Sequence, residues 1–270
     1  MNFLKLFDHN ALIAAHRGAR SISPENTLSS IKSSVGHCDF IEVDVQLSCD
    51  GIAVIIHDET LTRTTNIKQI DKYKNRTSYN VSDFTFEELS TLDYGSWFYK
   101  DDPFGQIAQK KVDIENRQNK TEPLLTLNIL LKFIKEHKVF INIEIKDMKK
   151  YFSDEVVVST ILNEIKKLKV ENYVLISSFR AQYLPLCKKH IPTISTALLV
   201  ENKHPDSLIE YLNLLQVDCY NIDNKLVDKN IVRKLKKAGF FINVYTVNNQ
   251  ERQKELFDIG VNGIFTDFLE

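Results

Sequence analysis

Short apolar runs alternate along the chain with longer segments whose apolar residues recur every three or four positions. Eight short apolar runs read as strands, at 11–16, 39–45, 139–145, 172–178, 193–199, 217–222, 239–246 and 262–266. Helical periodicity fills most of the gaps, at 27–35, 125–137, 153–168, 180–190, 206–215, 228–238 and 248–259. Ser23 before Pro24 predicts an N-cap followed by proline at the first helical position, and Asp228 predicts a second helix entrance. Alternation of strand and helix implies parallel pairing. Eight such units predict an α/β fold, a TIM (β/α)8 barrel in a single domain spanning 1–270, although a doubly wound open sheet has the same count.

A hairpin interrupts this rhythm after strand 2. Two apolar runs, Val43-Asp44-Val45-Gln46-Leu47 and Ile52-Ala53-Val54-Ile55-Ile56-His57, are joined through Ser48-Cys49-Asp50-Gly51. Asp-Gly predicts a two-residue type I′ turn, which would set Asp44 opposite His57 with Cβ atoms about 5 Å apart. Next, 59–123 is polar, rich in Lys, Asn, Asp and Thr, with an aromatic cluster at Tyr94-Gly95-Ser96-Trp97-Phe98-Tyr99. It reads as a small insertion that caps the barrel mouth.

Period-two alternation puts Glu42 and Asp44 on one strand face and Ile41, Val43 and Val45 on the other. Two acids side by side repel, and apolar flanks raise the cost of desolvating them. A shared proton, a basic side chain or a hard cation must neutralise them. Ordinary exposed acids would need none of these. A second strand repeats the pattern, with Asn142, Glu144 and Lys146 sharing a face, where a strand buried on both sides would be almost uniformly apolar. Polar residues also collect at the predicted C-terminal strand ends, where barrels carry their chemistry: His16-Arg17, Glu42/Asp44, Glu144/Lys146, Ser177-Ser178, Asn221/Asp223, Tyr245 and Thr266/Asp267.

Composition narrows the class. A 270-residue chain with 43% hydrophobic residues supports a sizeable core. A net charge of −1 leaves no basic excess to neutralise nucleic-acid phosphates, and basic runs such as Arg233-Lys234-Leu235-Lys236-Lys237 read as solvated helix faces. The four cysteines have no C-x-x-C spacing, which fits reduced thiols and a cytoplasmic protein better than a zinc or disulfide framework. No signal peptide or transmembrane stretch is evident.

His16-Arg17-Gly18, Pro24-Glu25-Asn26-Thr27, Glu42-Val43-Asp44, His57-Asp58 and Asn142-Ile143-Glu144-Ile145-Lys146, in that order, closely resemble the glycerophosphodiester phosphodiesterase family. The resemblance continues through Ser177-Ser178-Phe179, Val244-Tyr245-Thr246-Val247-Asn248 and Gly260-Val261-Asn262-Gly263-Ile264-Phe265-Thr266-Asp267. It implies a TIM barrel with a small insertion and hydrolysis of glycerophosphodiesters to glycerol 3-phosphate and an alcohol, assisted by a divalent cation. Glu42, Asp44 and Glu144 fall on the family's metal ligands, and their hard oxygens suit Mg²⁺ or Ca²⁺. His16 and His57 match the proton-transfer pair, with His16 favoured as base and His57 as acid. Arg17 and Lys146 would bind phosphate, and Glu25 would orient Arg17 or favour a helix start.

Tyr245 stands where the family usually has tryptophan and Ser48 where it usually has threonine; Tyr245 would keep an aromatic wall against the substrate. Two alternatives carry different expectations. A phospholipase D-like enzyme acting on lysophospholipids needs an apolar trough, for which Trp97, Phe98 and Phe104 are candidates. A non-catalytic phosphate-ligand binding protein needs only the fold.

Overall fold

A computed structural model describes residues 3–112 and 121–269. In chain order its elements are β1 (Leu12–Ala15), α1 (Leu28–Ser34), β2 (Phe40–Leu47), β3 (Ala53–Ile55), α2 (Phe86–Leu89), α3 (Ser96–Asp101), α4 (Leu127–His137), β4 (Ile141–Ile145), α5 (Asp154–Leu168), β5 (Val174–Ser178), α6 (Tyr183–His190), β6 (Ser195–Val200), α7 (Leu208–Leu214), β7 (Cys219–Asp223), α8 (Lys229–Lys237), β8 (Phe241–Tyr245), α9 (Gln250–Asp258) and β9 (Gly263–Thr266). All eight sequence-predicted strands are present, shortened by a residue or two at some ends. β1 pairs in parallel with both β9 and β2, closing the barrel; β3 alone runs antiparallel, as the return arm on β2.

The pleat sorts side chains into two regions. Ile41, Val43 and Val45 of β2, with Ile141, Ile143 and Ile145 of β4, face outward and join Leu130, Leu131 and Ile134 of α4 and Val157, Val158 and Ile161 of α5 in one buried cluster. Apolar positions of α4 and α5 at helical spacing supply the matching face. Truncating a fully buried residue here, such as Leu131, to alanine would cost about 2–5 kcal/mol.

The inward residues form layers. Phe3, Leu12, Ala14, Phe40, Leu175, Ala197 and Cys219 make an apolar floor, and the Phe3 backbone N–H donates to Ser195 Oγ at 2.7 Å. Above it lie buried amides and a hydroxyl: Asn142 Nδ2 donates to Ser177 Oγ and Asn243 Nδ2 to Asn221 Oδ1, each at 2.9 Å. Gly263 belongs to this layer, because a Cβ there would stand 2.5 Å from Asn243 Oδ1. Towards the C-terminal strand ends come the carboxylates, where β2 and β4 pair Glu42 with Asn142 and Asp44 with Glu144.

Two local expectations are corrected. The hairpin pairs Val45 with Ile55 and Leu47 with Ala53, so Asp44 is opposite Ile56, whose N–H donates to the Asp44 carbonyl at 2.9 Å, and not opposite His57. The turn has three loop residues. Gly51 takes φ +80° and donates to the Ser48 carbonyl, the arrangement of a type I turn followed by a left-handed glycine. Asp50 Oδ1 accepts from the Ser48 hydroxyl and the Phe86 N–H, fixing that turn.

The second correction concerns the entrance to the first helix. It is not Ser23-Pro24 but Thr27, whose Oγ1 accepts from the Ser30 N–H in a capping box. Residues 23–26 instead bend inward, with Asn26 at φ +58° and Glu25 buried among arginines. Asp228 does cap α8, accepting from the N–H groups of Asn230 and Ile231.

The insertion begins after β3. It contains short 3₁₀ turns at Ile67–Gln69, Asp71–Tyr73 and Val81–Asp83, then α2 and α3. Leu61, Ile67, Tyr73, Phe84, Leu89 and Tyr94 pack with Val54 and Ile56 in a separate small core, which anchors the segment to β3. Residues 113–120 of the predicted insertion lie outside the described residues.

Candidate active site

Backbone geometry first brings Arg17 to the acids. After β1, Arg17 and Gly18 both take left-handed φ values of +56° and +80°, which turns the Arg17 N–H towards Glu42 Oε2 at 2.9 Å. A side chain on Gly18 would collide with Ser30, 2.8 Å from its carbonyl carbon. The H-R-G motif is therefore a turn as well as a list of side chains.

Glu42, Asp44 and Glu144 are all buried, and one carboxylate oxygen from each lies within 4.8 Å of the others. Lys146 Nζ stands 3.4 Å from Asp44 Oδ1 and 2.7 Å from Glu144 Oε1, and Arg17 Nε is 3.4 Å from Asp44 Oδ2. Burial raises the pKa of Glu42 well above the usual carboxylate range, and the charges of Asp44 and Glu144 raise it further. Glu144 is raised by burial and by Asp44. Asp44 goes the other way: burial opposes its ionisation, but Lys146, Arg17 and His57 together hold its carboxyl low.

Three buried carboxylates thus face two cationic side chains. The donor set is all hard oxygen and converges on one point, which fits a divalent ion such as Mg²⁺ or Ca²⁺. Glu144 Oε1 is buried and pairs with Lys146 Nζ at 2.7 Å, which leaves a second lone-pair site on that oxygen for such an ion.

Both predicted histidines are held through Nδ1. His16 donates to Asp267 Oδ1 and His57 to Asp58 Oδ1, each at 2.7 Å. Because a carboxylate only accepts, this fixes hydrogen on Nδ1 and leaves Nε2 for proton exchange in each ring. Burial lowers the pKa of His16; Asp267 opposes the shift, and Arg17 adds to it. Asn248 Nδ2 in turn donates to Asp267 Oδ2 at 2.7 Å. His57 lies near enough for its charge to act on Asp44 and Glu144 despite the shifted hairpin register. Gln46, inward on β2 after Glu42 and Asp44, holds the segment that carries it: Gln46 Nε2 is 2.7 Å from the Asp58 carbonyl and 3.1 and 3.2 Å from those of Ile56 and His57, which share its two N–H groups.

Tyr245 closes one side. Its hydroxyl donates to the Val200 carbonyl at 2.6 Å, and its ring, edge-on to Phe179, helps line a small cavity of about 30 Å³ with His16, Glu42, Asn142, Glu144, Ser177, Leu199 and Phe265. The three aromatics expected for an apolar trough are placed separately: Phe98 is fully buried, and Trp97 lines a cavity whose other walls are polar, among them Arg63, Lys100 and Asp101. Trp97 Nε1 donates to the Tyr94 carbonyl and its ring lies under Arg63, whereas Phe104 packs against Phe268 and Arg20.

Sequence reading missed Arg20, Asn26, Gln46 and Arg63 as supports of the site. Glu25 accepts from Arg17, Arg20 and Arg63, three partners where one was expected. Burial opposes its ionisation, yet Arg17, Arg63 and Arg20 hold its carboxyl well below the usual range. The i, i+2, i+4 series Glu42, Asp44, Gln46 was a signal for Gln46; the arginines had none.

Comparison with known proteins places the chain in a family. The model of the glycerophosphoryl diester phosphodiesterase family matches residues 16–270. A glycerophosphodiester phosphodiesterase of Bacillus altitudinis is 34% identical over 263 residues, covering 95% of this chain and 94% of the relative. One from Bacillus subtilis strain 168 is 29% identical over 266 residues, covering 95% and 83%. An Oleispira antarctica phosphodiesterase, solved with the product sn-glycerol-3-phosphate, superposes with a TM-score of 0.81 at 25% identity, covering 100% of this chain and 96% of that one. The Agrobacterium tumefaciens glycerophosphodiester phosphodiesterase structure shares the fold, with a TM-score of 0.70, 23% identity and 95% and 96% coverage. With the match running from His16 of the first motif through Asp267 of the last, the chain belongs to the glycerophosphoryl diester phosphodiesterase family and is a phosphoric diester hydrolase.

Proposed function

We propose that this protein hydrolyses glycerophosphodiesters to glycerol 3-phosphate and an alcohol, with a divalent cation and paired-histidine acid–base catalysis. The observation that carries the reading is the pairing of two imidazoles, each oriented through Nδ1 by a carboxylate, with three converging buried acids. The product bound in the Oleispira antarctica structure supports the substrate class.

Glu42, Asp44 and Glu144 would hold the cation, Mg²⁺ or Ca²⁺, which supplies positive charge against the phosphoryl oxygens. Arg17 and Lys146 bind the same phosphate; the buried Arg17 Nε faces Asp44 at 3.4 Å, an ion pair rather than a close hydrogen bond. His16 Nε2, kept neutral by its lowered pKa, accepts the proton of the attacking hydroxyl; attack by water gives glycerol 3-phosphate directly, whereas attack by the substrate's glycerol hydroxyl gives a cyclic phosphate that a water, deprotonated in turn, must open to glycerol 3-phosphate. As the bond from phosphorus to the alcohol oxygen breaks, His57 Nε2 delivers a proton to that oxygen. Tyr245 walls the glycerol or alcohol moiety.

The chain acts as one domain, 1–270, with 59–123 forming the lid. Among the described residues no helix is long and apolar enough to cross a membrane; a cytoplasmic location is proposed because Cys38, Cys49, Cys187 and Cys219 form no disulfide with one another. The packing of Trp97 and Phe104 favours a soluble diester over a lysophospholipid. The deciding assay measures glycerol 3-phosphate release from glycerophosphocholine, beside choline release from lysophosphatidylcholine, with Mg²⁺, Ca²⁺ or EDTA. Cation-dependent release from the first supports the reading; choline from the lysolipid alone selects the lipid-acting enzyme, and silence on both selects the binding protein.

A further inference from the structure

Glu25 takes more positive charge than its own neutralisation requires. Its side chain is only 2% exposed and lies 2.9 Å from Arg17, 2.7 Å from Arg20 and 2.6 Å from Arg63. One guanidinium would neutralise it. Each arginine, however, has a second carboxylate partner. Arg20 Nη1 reaches Asp267 Oδ1 at 3.3 Å. Arg63 takes Asp58 with Nε at 2.6 Å and Nη2 at 2.9 Å. Arg17 Nε stands 3.4 Å from Asp44.

Those second partners are the groups that orient the chemistry: Asp267 holds His16 and Asp58 holds His57. One unbroken path runs from His16 through Asp267, Arg20, Glu25, Arg63 and Asp58 to His57. We infer that Glu25, with Arg20 and Arg63, is a shared positioning device that sets the orientation of both histidines together. The inference rests on the reading of His16 and His57 as the acid–base pair. It gives the insertion a part in the chemistry, because Arg63 comes from its first turn while Glu25 comes from the loop after β1. Planar guanidinium forks suit this use, since each arginine meets two carboxylates in fixed directions; a lysine ammonium offers no such fork.

The test uses full-length protein with Mg²⁺ and glycerophosphocholine, comparing wild type with Arg63→Lys and Glu25→Gln. Circular dichroism checks folding, and ¹⁵N-histidine NMR follows the Nδ1–H proton of His16. Both variants are expected to lower kcat about 10- to 100-fold with KM within about twofold, as for misplaced rather than missing groups. The His16 Nδ1–H resonance should also move in Arg63→Lys, although the Arg63 hydrogen bonds run to Asp58 and Glu25. A lower melting temperature with unchanged kcat and an unmoved His16 resonance would make the network merely structural and overturn the inference. If Arg63→Lys does not fold, the isosteric Glu25→Gln gives both readouts. If wild type hydrolyses no glycerophosphodiester, the proposed function fails, but the His16 resonance still decides the coupling.

Discussion

Asn26 grips Asp44 with both ends of its amide: Nδ2 donates to Asp44 Oδ2 at 2.9 Å, and Oδ1 accepts from the Asp44 backbone N–H at 3.2 Å. The amide locks the direction of a carboxylate that we propose faces a cation. Groups behind metal ligands typically contribute 10- to 100-fold to affinity. Asn26→Ala is expected to weaken Mg²⁺ binding by about that factor, read by titration calorimetry; unchanged affinity would release Asn26 from this role.

Glu144→Gln removes one of the three converging charges while keeping shape. Divalent-cation binding should weaken in calorimetry, and EDTA should stop wild-type turnover until excess Mg²⁺ or Ca²⁺ is restored. Full activity in EDTA would refute the cation's participation.

His57→Ala should fold and bind metal yet lose turnover by about 10²- to 10⁴-fold, the usual contribution of a positioned acid or base. Its side chain is part-exposed, at 31%, so truncation costs less packing than it would at a fully buried core position. Near wild-type kcat would remove His57 from proton transfer.

His16 predicts a pH effect on stability with a definite sign. Burial lowers its folded pKa below the ordinary 6.5, so the unfolded chain binds the proton more readily. The stability it contributes is present above 6.5 and is lost as pH falls from there towards the lower folded value. Between about pH 7.5 and pH 5.5, the wild-type melting temperature should fall more steeply than that of His16→Gln. Glu42 and Glu144 titrate in both proteins and cancel from the difference, and Asp267, lowered from 3.8, acts outside this window. Parallel calorimetric slopes would count against a depressed His16.

Gly18→Ala meets two obstacles at once, a φ of +80° and a Cβ 2.8 Å from Ser30 backbone. Left-handed strain alone costs about 1–3 kcal/mol, and α1 must shift to admit the methyl. The melting temperature should drop by several degrees, and Arg17 should lose its hold on Glu42; a variant as stable as wild type would contradict the clash.

What was legible in the sequence follows from local rules. Glu42, Asp44 and Glu144 could be placed because strand alternation assigns faces without knowledge of the partners, and β4 repeats the pattern of β2. The Asp50-Gly51 turn was misjudged by one residue because two- and three-residue hairpins both use glycine at positive φ; the Asp50 bond to the Phe86 N–H, 36 residues away, helps fix which one forms. Ser23-Pro24 looked like a helix entrance on local chemistry, but burial of Glu25 bends the chain first. Arg63 was invisible because nothing in its neighbourhood signals a partner 38 residues upstream.

The pairing of Asp44 with Glu144 across adjacent strands has a consequence for how such a protein can diversify. The spacing of these two acids is inherited from the hydrogen-bonded ladder, about 4.8 Å between neighbouring strands, and not from any loop. Changes in loop length around the mouth can therefore accumulate, altering which alcohol is admitted, while the acid spacing is copied unchanged. Selectivity becomes free to drift on a chemistry whose ruler is the backbone itself.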